Sequence, residues 1–265
     1  MLGACASASV TLVRRLVTEH AECAEGVRQG TLRDGVGNTA LLLACCRNKV
    51  AVVRWLVETA HSRVKTERNN SQTTALLMAC LKGNVDVVRW LVQVGGSCPK
   101  TERSKNLGTA LLAACYHGDN SAVVSWLVTH AGACARMERN SVGDTALLAA
   151  ATVGDLDAVR WLVTHAGSCA VTERDIRGDT AFILACTRGH LDVARWLASH
   201  ADPRAARARH PSSATALMLA CHHGQLDVAR WLVRELGACA KTERSNAGWT
   251  ALHFACAGGQ LHVAQ

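Results

Sequence analysis

Apolar and polar positions along the chain form pairs of short helical patterns, separated by a glycine and followed by a polar stretch. In one such pair, Thr180 precedes an apolar run that reaches Arg188, Gly189 follows, and a second apolar pattern runs from about Leu191 to Ser199. Threonine favours the N-cap of a helix, and glycine favours the left-handed backbone at which a helix ends. The pattern therefore predicts a helix, a turn and a second helix.

This pattern recurs every 35 residues, with a single step of 36, along most of the chain. A Thr-Ala dipeptide precedes each first helix, beginning at Thr39, Thr74, Thr109, Thr145, Thr180, Thr215 and Thr250. A Trp-Leu dipeptide marks each second helix, beginning at Trp55, Trp90, Trp126, Trp161, Trp196 and Trp231. Two series that share one irregularity indicate a tandem array, in which each repeat packs on its neighbours.

The run G-D-T-A-L-L-A-A-A-T-V-G-D-L-D-A-V-R-W-L-V, from Gly143 to Val163, resembles the ankyrin repeat. The chain departs from the pattern of that family in four ways. Alanine replaces proline after every threonine, and the family's histidine remains only at His253. Tryptophan replaces the first leucine of the second helix, and the loop between repeats is about two residues longer. The resemblance implies an all-α solenoid of stacked helix-turn-helix units joined by extended, hairpin-like loops.

We expect one continuous array over residues 1–265, with a partial repeat at each end. The predicted segments are 1–34, which has a longer loop, then 35–69, 70–104, 105–140, 141–175, 176–210, 211–245 and the truncated 246–265. The period places Ala4 and Cys5 on a first helix, and Gln265 just before the next Trp-Leu position. The sequence therefore suggests a fragment of a longer array or a mis-bounded gene product.

The composition excludes several classes of protein. The longest apolar run, Ala40 to Cys46, has seven residues, whereas a membrane-spanning helix needs about 20. No targeting signal is evident, so we expect an intracellular, cytoplasmic protein. Few aromatic residues, 4% of the chain, suit a fold that uses one small packing arrangement many times.

Twelve of the 13 cysteines form two series, and the chain has no C-x-x-C pair. The first series falls on first helices, at Cys5, Cys45, Cys80, Cys115, Cys186, Cys221 and Cys256; the second falls in the loops, at Cys23, Cys98, Cys134, Cys169 and Cys239. Equivalent residues in stacked helices are about 8–10 Å apart, beyond the roughly 7 Å limit for disulfide Cα atoms. We interpret both series as reduced thiols that pack as small apolar side chains.

No group of residues has the spacing of a catalytic or metal site. The Cys115-Tyr116-His117 and Cys221-His222-His223 runs place adjacent residues in different directions around a helix. We therefore expect no catalysis, no metal and no cofactor. The repeated Thr-Glu-Arg motif, at 66–68, 101–103, 172–174 and 242–244, is interpreted as a solvated stretch of mixed charge, and the tryptophans as inter-repeat core.

The candidate binding residues are those that vary between repeats, because packing does not dictate them. In ankyrin-like folds the corresponding positions, at first-helix ends and loop tips, line a concave face. They include Arg47, Lys82, Tyr116, His117, Asp144, Asp179, Arg188, His222, His223 and Trp249. The alternative is that they are tolerated surface residues.

The favoured function is a scaffold that binds another protein, with no small-molecule substrate or membrane as partner. Two alternatives remain open. The net charge of +8 fits a basic module for acidic partners or nucleic acid, although alternating Glu and Arg disfavour nucleic acid. The chain could also be the substrate-recruiting arm of a larger enzyme.

Overall fold

A computed structural model of the chain describes residues 10–19, 25–27, 29–62, 64, 66–105, 107–201 and 204–265. The regular structure within these ranges is helical, with one isolated bridge between Ser104 and Gly108. The chain divides into two compact units, residues 1–134 and 135–265. The helix predicted around Ala4 and Cys5 lies outside the described residues.

Helices come in pairs with the predicted period. The first unit contains α1 (Val10–Glu19), α2 (Ala40–Cys46), α3 (Val50–Glu58), α4 (Ala75–Leu81), α5 (Val85–Gln93), α6 (Ala110–Cys115) and α7 (Ser121–His130). The second contains α8 (Ala146–Val153), α9 (Leu156–Thr164), α10 (Ala181–Arg188), α11 (Leu191–His200), a 3-10 turn (Ala205–Arg207), α12 (Ala216–His222), α13 (Leu226–Glu235), α14 (Ala251–Ala257) and α15 (Leu261–Ala264). The all-α prediction is confirmed for the described ranges, while the repeat bounds stay a prediction.

The predicted start and stop signals are confirmed. Five threonine hydroxyls accept a hydrogen bond from the backbone N–H three residues on: Thr39, Thr74, Thr145, Thr180 and Thr215. Thr250 forms a capping box with His253, the one histidine kept from the family pattern. After each first helix the chain turns through a left-handed residue, which is glycine everywhere except at Asn48.

Each unit has two layers of helices. First helices pack on neighbouring first helices, as α4 does on α6 and α8 on α10. Each first helix also packs on the second helix of its own repeat, and most second helices contact the next one within their unit. The first helices supply most of the fully buried leucines, so the core lies along this layer.

The tryptophan series belongs to the core, as predicted. Five of its six members expose only 5–9% of their surface, and Trp161 is half-buried. The second helices also carry an aspartate three residues before an arginine, in the pairs Asp86/Arg89, Asp157/Arg160, Asp192/Arg195 and Asp227/Arg230. Within the described ranges none of them forms an ion pair, and Arg195 instead reaches Glu235 of the next repeat, with Nη2 and Oε1 3.4 Å apart.

The glutamate of the Thr-Glu-Arg motif is buried, which corrects its interpretation as a solvated residue. Glu173 is 5% exposed; its Oε2 accepts from the hydroxyl of Thr145, 28 residues earlier, and its Oε1 accepts from the Cys169 N–H at 2.7 Å. Glu67 and Glu102 accept from Thr39 and Thr74 in the same way. The carboxylate thus joins the N-cap of the first helix to the loop that follows the second helix.

The arginine of the motif joins neighbouring repeats. Arg68 Nη1 donates to the carbonyl of Gln72 in its own loop and to that of Arg103, 35 residues on, both at 3.0 Å. Arg33, Arg139 and Arg174 make the same pair of bonds. The Thr-Glu-Arg motif, whose sequence resembles a solvated stretch of mixed charge, therefore makes the same structural hydrogen bonds in successive repeats.

Candidate functional site

In the first unit, the candidate residues lie where the first helices end. Arg47, Lys82 and Tyr116 are the C-cap residues of α2, α4 and α6. Arg47, Lys82 and His117 are exposed, and Tyr116 is half-buried. Lys82 Nζ lies 3.3 Å from His117 Nε2, so equivalent positions of adjacent repeats meet on one surface.

The loop tips are tight turns organised by their first polar residue. Asp175 Oδ1 accepts from the N–H groups of Arg177 and Asp179 at 2.9 and 2.8 Å, and Gly178 adopts a positive φ of 85°. Asp34, Asn69 and Asn140 hold their turns in the same way. Such a short turn holds the residues before Thr145 and Thr180 against the core.

This geometry buries two of the candidate residues. Asp144 is 7% exposed and its Oδ2 lies 3.4 Å from Asn140 Nδ2. Asp179 is 8% exposed, and its Oδ1 makes no hydrogen bond. Burial and the nearby Asp175 raise the pKa of Asp179. These carboxylates lie beneath the surface that the other candidates form.

In the second unit, four candidates come together around an aromatic row. The row consists of Trp249, Phe254, His222 and His223, with edge-on ring contacts at centroid distances of 5.7, 6.3 and 5.0 Å in that order. Trp249 is 45% exposed, and His223 and Arg188 are also exposed. The structure thus places an exposed indole, two imidazoles and a guanidinium on the face of one unit.

Phe254 was missed by sequence reasoning. It stands four residues after Thr250, where the other repeats carry Leu43, Met78, Ala113, Ala149, Leu184 and Leu219. Its apolar character made it a core residue by pattern, whereas the structure leaves it half-buried between Trp249 and His222. The only signal was the single aromatic ring at an otherwise aliphatic position.

The charges around His223 shift its titration. Partial burial, His222, Arg188 and Arg177 all lower the pKa of His223, against an opposing effect of Asp179. We expect its ring to titrate below the ordinary 6.5, measured by NMR. Because the folded pKa is the lower one, this group's contribution to stability is complete above about pH 6.5 and is lost as the pH falls through the folded pKa.

A substitution tests the cause. Arg188→Ala removes one positive charge, so the pKa of His223 should rise towards 6.5. Arg195→Ala, on the exposed side of α11, is the control and should leave the pKa of His223 unchanged. An unchanged His223 pKa in the Arg188 variant would contradict the assignment.

The two cysteine series have opposite environments. On the first helices, Cys45, Cys80, Cys115, Cys186 and Cys221 are buried, which confirms their packing role; Cys256 is exposed. In the loops, Cys98, Cys134 and Cys239 are exposed and Cys169 is half-buried, so the packing interpretation was wrong for this series. Cys5 and Cys23 lie outside the described residues.

The thiol pKa values differ in the same sense. Burial raises the pKa of Cys45, Cys80 and Cys186, and raises that of Cys221 to about 11. In the loops, a hydrogen bond from the threonine three residues on lowers the pKa of Cys98, Cys169 and Cys239, helped by backbone N–H groups. The loop thiols are therefore the reactive set.

We expect brief iodoacetamide treatment of the native protein, followed by peptide mass spectrometry, to label Cys98 and Cys239 and to spare Cys45 and Cys80. Denaturant should make all four react at similar rates. Thr242→Val should slow alkylation of Cys239 by removing the hydroxyl donor, and Thr101→Val should do so only at Cys98. Equal native labelling of both series would contradict the structure.

Two further features bear on chemistry. Within the described ranges, no group of three or more His, Cys, Asp or Glu side chains is arranged to hold a metal ion. Among the helices of those same ranges, none is both long and apolar enough to cross a membrane.

Comparison with known families identifies the repeat. A family model described as ankyrin repeats (3 copies) matches residues 1–102, 97–175, 167–244 and 205–265. The overlapping matches cover the whole chain. No curated protein matches the sequence.

Proposed function

The chain belongs to the ankyrin-repeat family, and from this premise we propose that it binds a partner protein through its first-helix ends and loop tips, without catalysis of its own. Ankyrin repeats are generally protein-interaction modules. The observation that carries the assignment is the aromatic row of the second unit, with Arg188 beside it.

This surface has the composition of an interface centre. Trp, Tyr and Arg are enriched among the residues that dominate binding energy. The indole of Trp249 is 45% exposed, whereas tryptophan side chains are on average highly buried. In the first unit, Arg47, Lys82, Tyr116 and His117 form the equivalent surface. Asp144 and Asp179 are buried in the loop tips and do not belong to the exposed part of this surface.

The proposal is tested by comparing proteins co-purified with tagged full-length variants, quantified by mass spectrometry. Arg188→Ala, His223→Ala and Trp249→Ala, combined, should remove the specific partner and leave the circular dichroism spectrum unchanged. The matched control combines Arg160→Ala, Arg195→Ala and Arg230→Ala, at a single second-helix position of the same unit. Loss of the partner in the control but not in the test variant would place binding on the opposite face.

Separate variants address the first unit. Lys82→Ala with His117→Ala should weaken capture if both units contact the partner, and Arg54→Ala with Arg89→Ala is the control. A partner retained by both pairs would restrict binding to the second unit. A partner retained by every variant, including the combined one in the second unit, would reject the proposed surface.

We also propose an intracellular, cytoplasmic location. Support comes from the 11 cysteines of the described ranges, none of which forms a disulfide bond. Fractionation of cells that express the tagged chain tests it.

A further inference from the structure

The arginines of the loops form a regular row in each unit. The arginine row consists of Arg33 and Arg68 in the first unit, and of Arg174, Arg209 and Arg244 in the second. Members of a row recur at the same position of successive repeats. Each row therefore advances by one repeat per arginine, about 8–10 Å, the separation of packed helices.

The backbone fixes how these guanidinium groups point. Arg174 Nη1 donates to the carbonyls of Gly178 and Arg209, at 2.6 and 3.3 Å. Arg209 and Arg244 each donate from Nη1 to the carbonyl four residues on, Ser213 and Gly248, both at 3.0 Å. The side chains are thus held in place before any partner arrives, which lowers the entropic cost of binding.

The other edge of these groups is available. In Arg33, Arg68, Arg174, Arg209 and Arg244, all hydrogen bonds to the described residues come from Nη1, and none comes from Nε or Nη2. Nε and Nη2 are parallel donors that match the two oxygens of a carboxylate. The row therefore presents a series of oriented, two-pronged anion sites.

Neighbouring acidic groups do not occupy these sites. Glu173 and Asp175, on either side of Arg174, are both at least nine-tenths buried. The first bonds Thr145 and Cys169, and the second bonds its own turn and Arg177. The carboxylates are satisfied inside the protein, whereas Arg209 and Arg244 are exposed and Arg174 is half-buried. The chain carries a net charge of +8.

We propose that the arginine row of the second unit binds an acidic peptide in the polyproline II conformation, with a carboxylate at every third residue. This conformation has three residues per turn and rises about 3.1 Å per residue, so every third side chain recurs on the same side after about 9 Å, close to the spacing of the row. The peptide would lie along the loops, and each carboxylate would accept from Nε and Nη2 of one arginine.

The row fits a peptide better than a nucleic acid. Proteins that bind single strands combine a basic groove with aromatic side chains on which bases stack. Beside Arg174, Arg209 and Arg244 the loops carry Ile176, Pro211 and Asn246 at the equivalent turn position, with no aromatic ring there. Guanidinium groups held at a regular spacing suit a peptide whose carboxylates recur at the same spacing.

Fluorescence anisotropy with the full-length chain tests the proposal. The probe is a labelled peptide of five glutamates, each separated by two serine or glycine residues. A control peptide of the same composition has its glutamates in one block. We expect the spaced peptide to bind about tenfold more tightly than the block peptide, and binding to weaken with added salt.

Substitutions locate the site. Arg174→Lys, Arg209→Lys and Arg244→Lys, combined, keep the charge but lose the paired donors, so the affinity for the spaced peptide should fall about tenfold. Arg160→Lys, Arg195→Lys and Arg230→Lys, combined, are the control and should bind as the parent chain does. Thermal melts by circular dichroism establish that both variants are folded.

Three results would overturn the proposal. They are equal binding of the spaced and block peptides, unchanged affinity in a folded variant of the row, and tighter binding of a single-stranded oligonucleotide of equal charge. The comparison of peptides needs no variant, so it decides the matter even if the combined substitution impairs folding. Because the aromatic row is untouched in these variants, failure here leaves the proposed protein-binding face standing.

Discussion

Trp90→Ala should lower the free energy of unfolding by about 3–5 kcal/mol, the range for truncating a buried aromatic side chain. Trp90 exposes only 6% of its surface, on α5, which packs on both α3 and α7. The truncation leaves a cavity at the contact between second helices, and neighbouring repeats can relax only partly to fill it. Urea unfolding monitored by circular dichroism measures the loss without depending on tryptophan fluorescence.

Two controls bracket this result. Arg89→Ala, one residue earlier and exposed, should cost well under about 1 kcal/mol. Trp161→Ala should cost less than Trp90→Ala, because Trp161 is only half-buried. If Trp90→Ala and Arg89→Ala gave equally small losses, the series would not be core.

Glu173→Ala should lower the free energy of unfolding by about 3 kcal/mol. The substitution leaves the hydroxyl of Thr145 and the N–H of Cys169 without their acceptor, and hydrogen bonds to a charged group contribute about 1.5–3 kcal/mol each. Glu173→Gln retains an acceptor oxygen and should cost less. Chemical denaturation by urea again supplies the measurement.

Asp192→Ala is the matched control for Glu173→Ala. Asp192 is an exposed carboxylate in the first turn of α11, and it should contribute about 0.3–1 kcal/mol through the helix dipole. A loss at Glu173 no larger than that at Asp192 would show that the carboxylate is solvated after all.

Local signals and the hydrophobic period were enough to predict the helices. Thr180 caps α10, Gly189 turns the chain after it, and the predicted second helix ends within one residue of His200. These features depend on neighbours in sequence or on apolar burial, and both leave a mark on the pattern. The family follows from the same positions.

Polar contacts between residues distant in sequence could not be predicted in this way. Glu173 meets a threonine 28 residues earlier, and burial of a charged side chain contradicts its hydropathy. The constant offset from threonine to glutamate was the available signal. Likewise, the cysteine series of helices and loops recur with the same period, although one is buried and the other exposed.

The candidate surface was predictable only as a set of positions. Arg188, His223 and Trp249 vary between repeats and are exposed, whereas Asp179 varies and is buried because its turn folds it inward. Sequence variation shows where packing is permissive, but the direction of a side chain in a tight turn depends on backbone angles. Burial of a polar residue by such a turn therefore gives no signal in the hydrophobic pattern of the sequence.

The joints between repeats bear on how such a chain can lengthen. In a full repeat the threonine at the start bonds the glutamate near the end, and the loop arginine donates to a carbonyl of the repeat after it. Duplication of one whole repeat would therefore create a new contact between repeats. Every hydrogen-bond donor of that contact would have its acceptor, wherever the copy is inserted. Ala208 occupies the position at which the glutamate partner of Thr180 would stand, so Thr180 lacks that acceptor. Restoring it with Ala208→Glu offers engineers a single position at which to strengthen the chain.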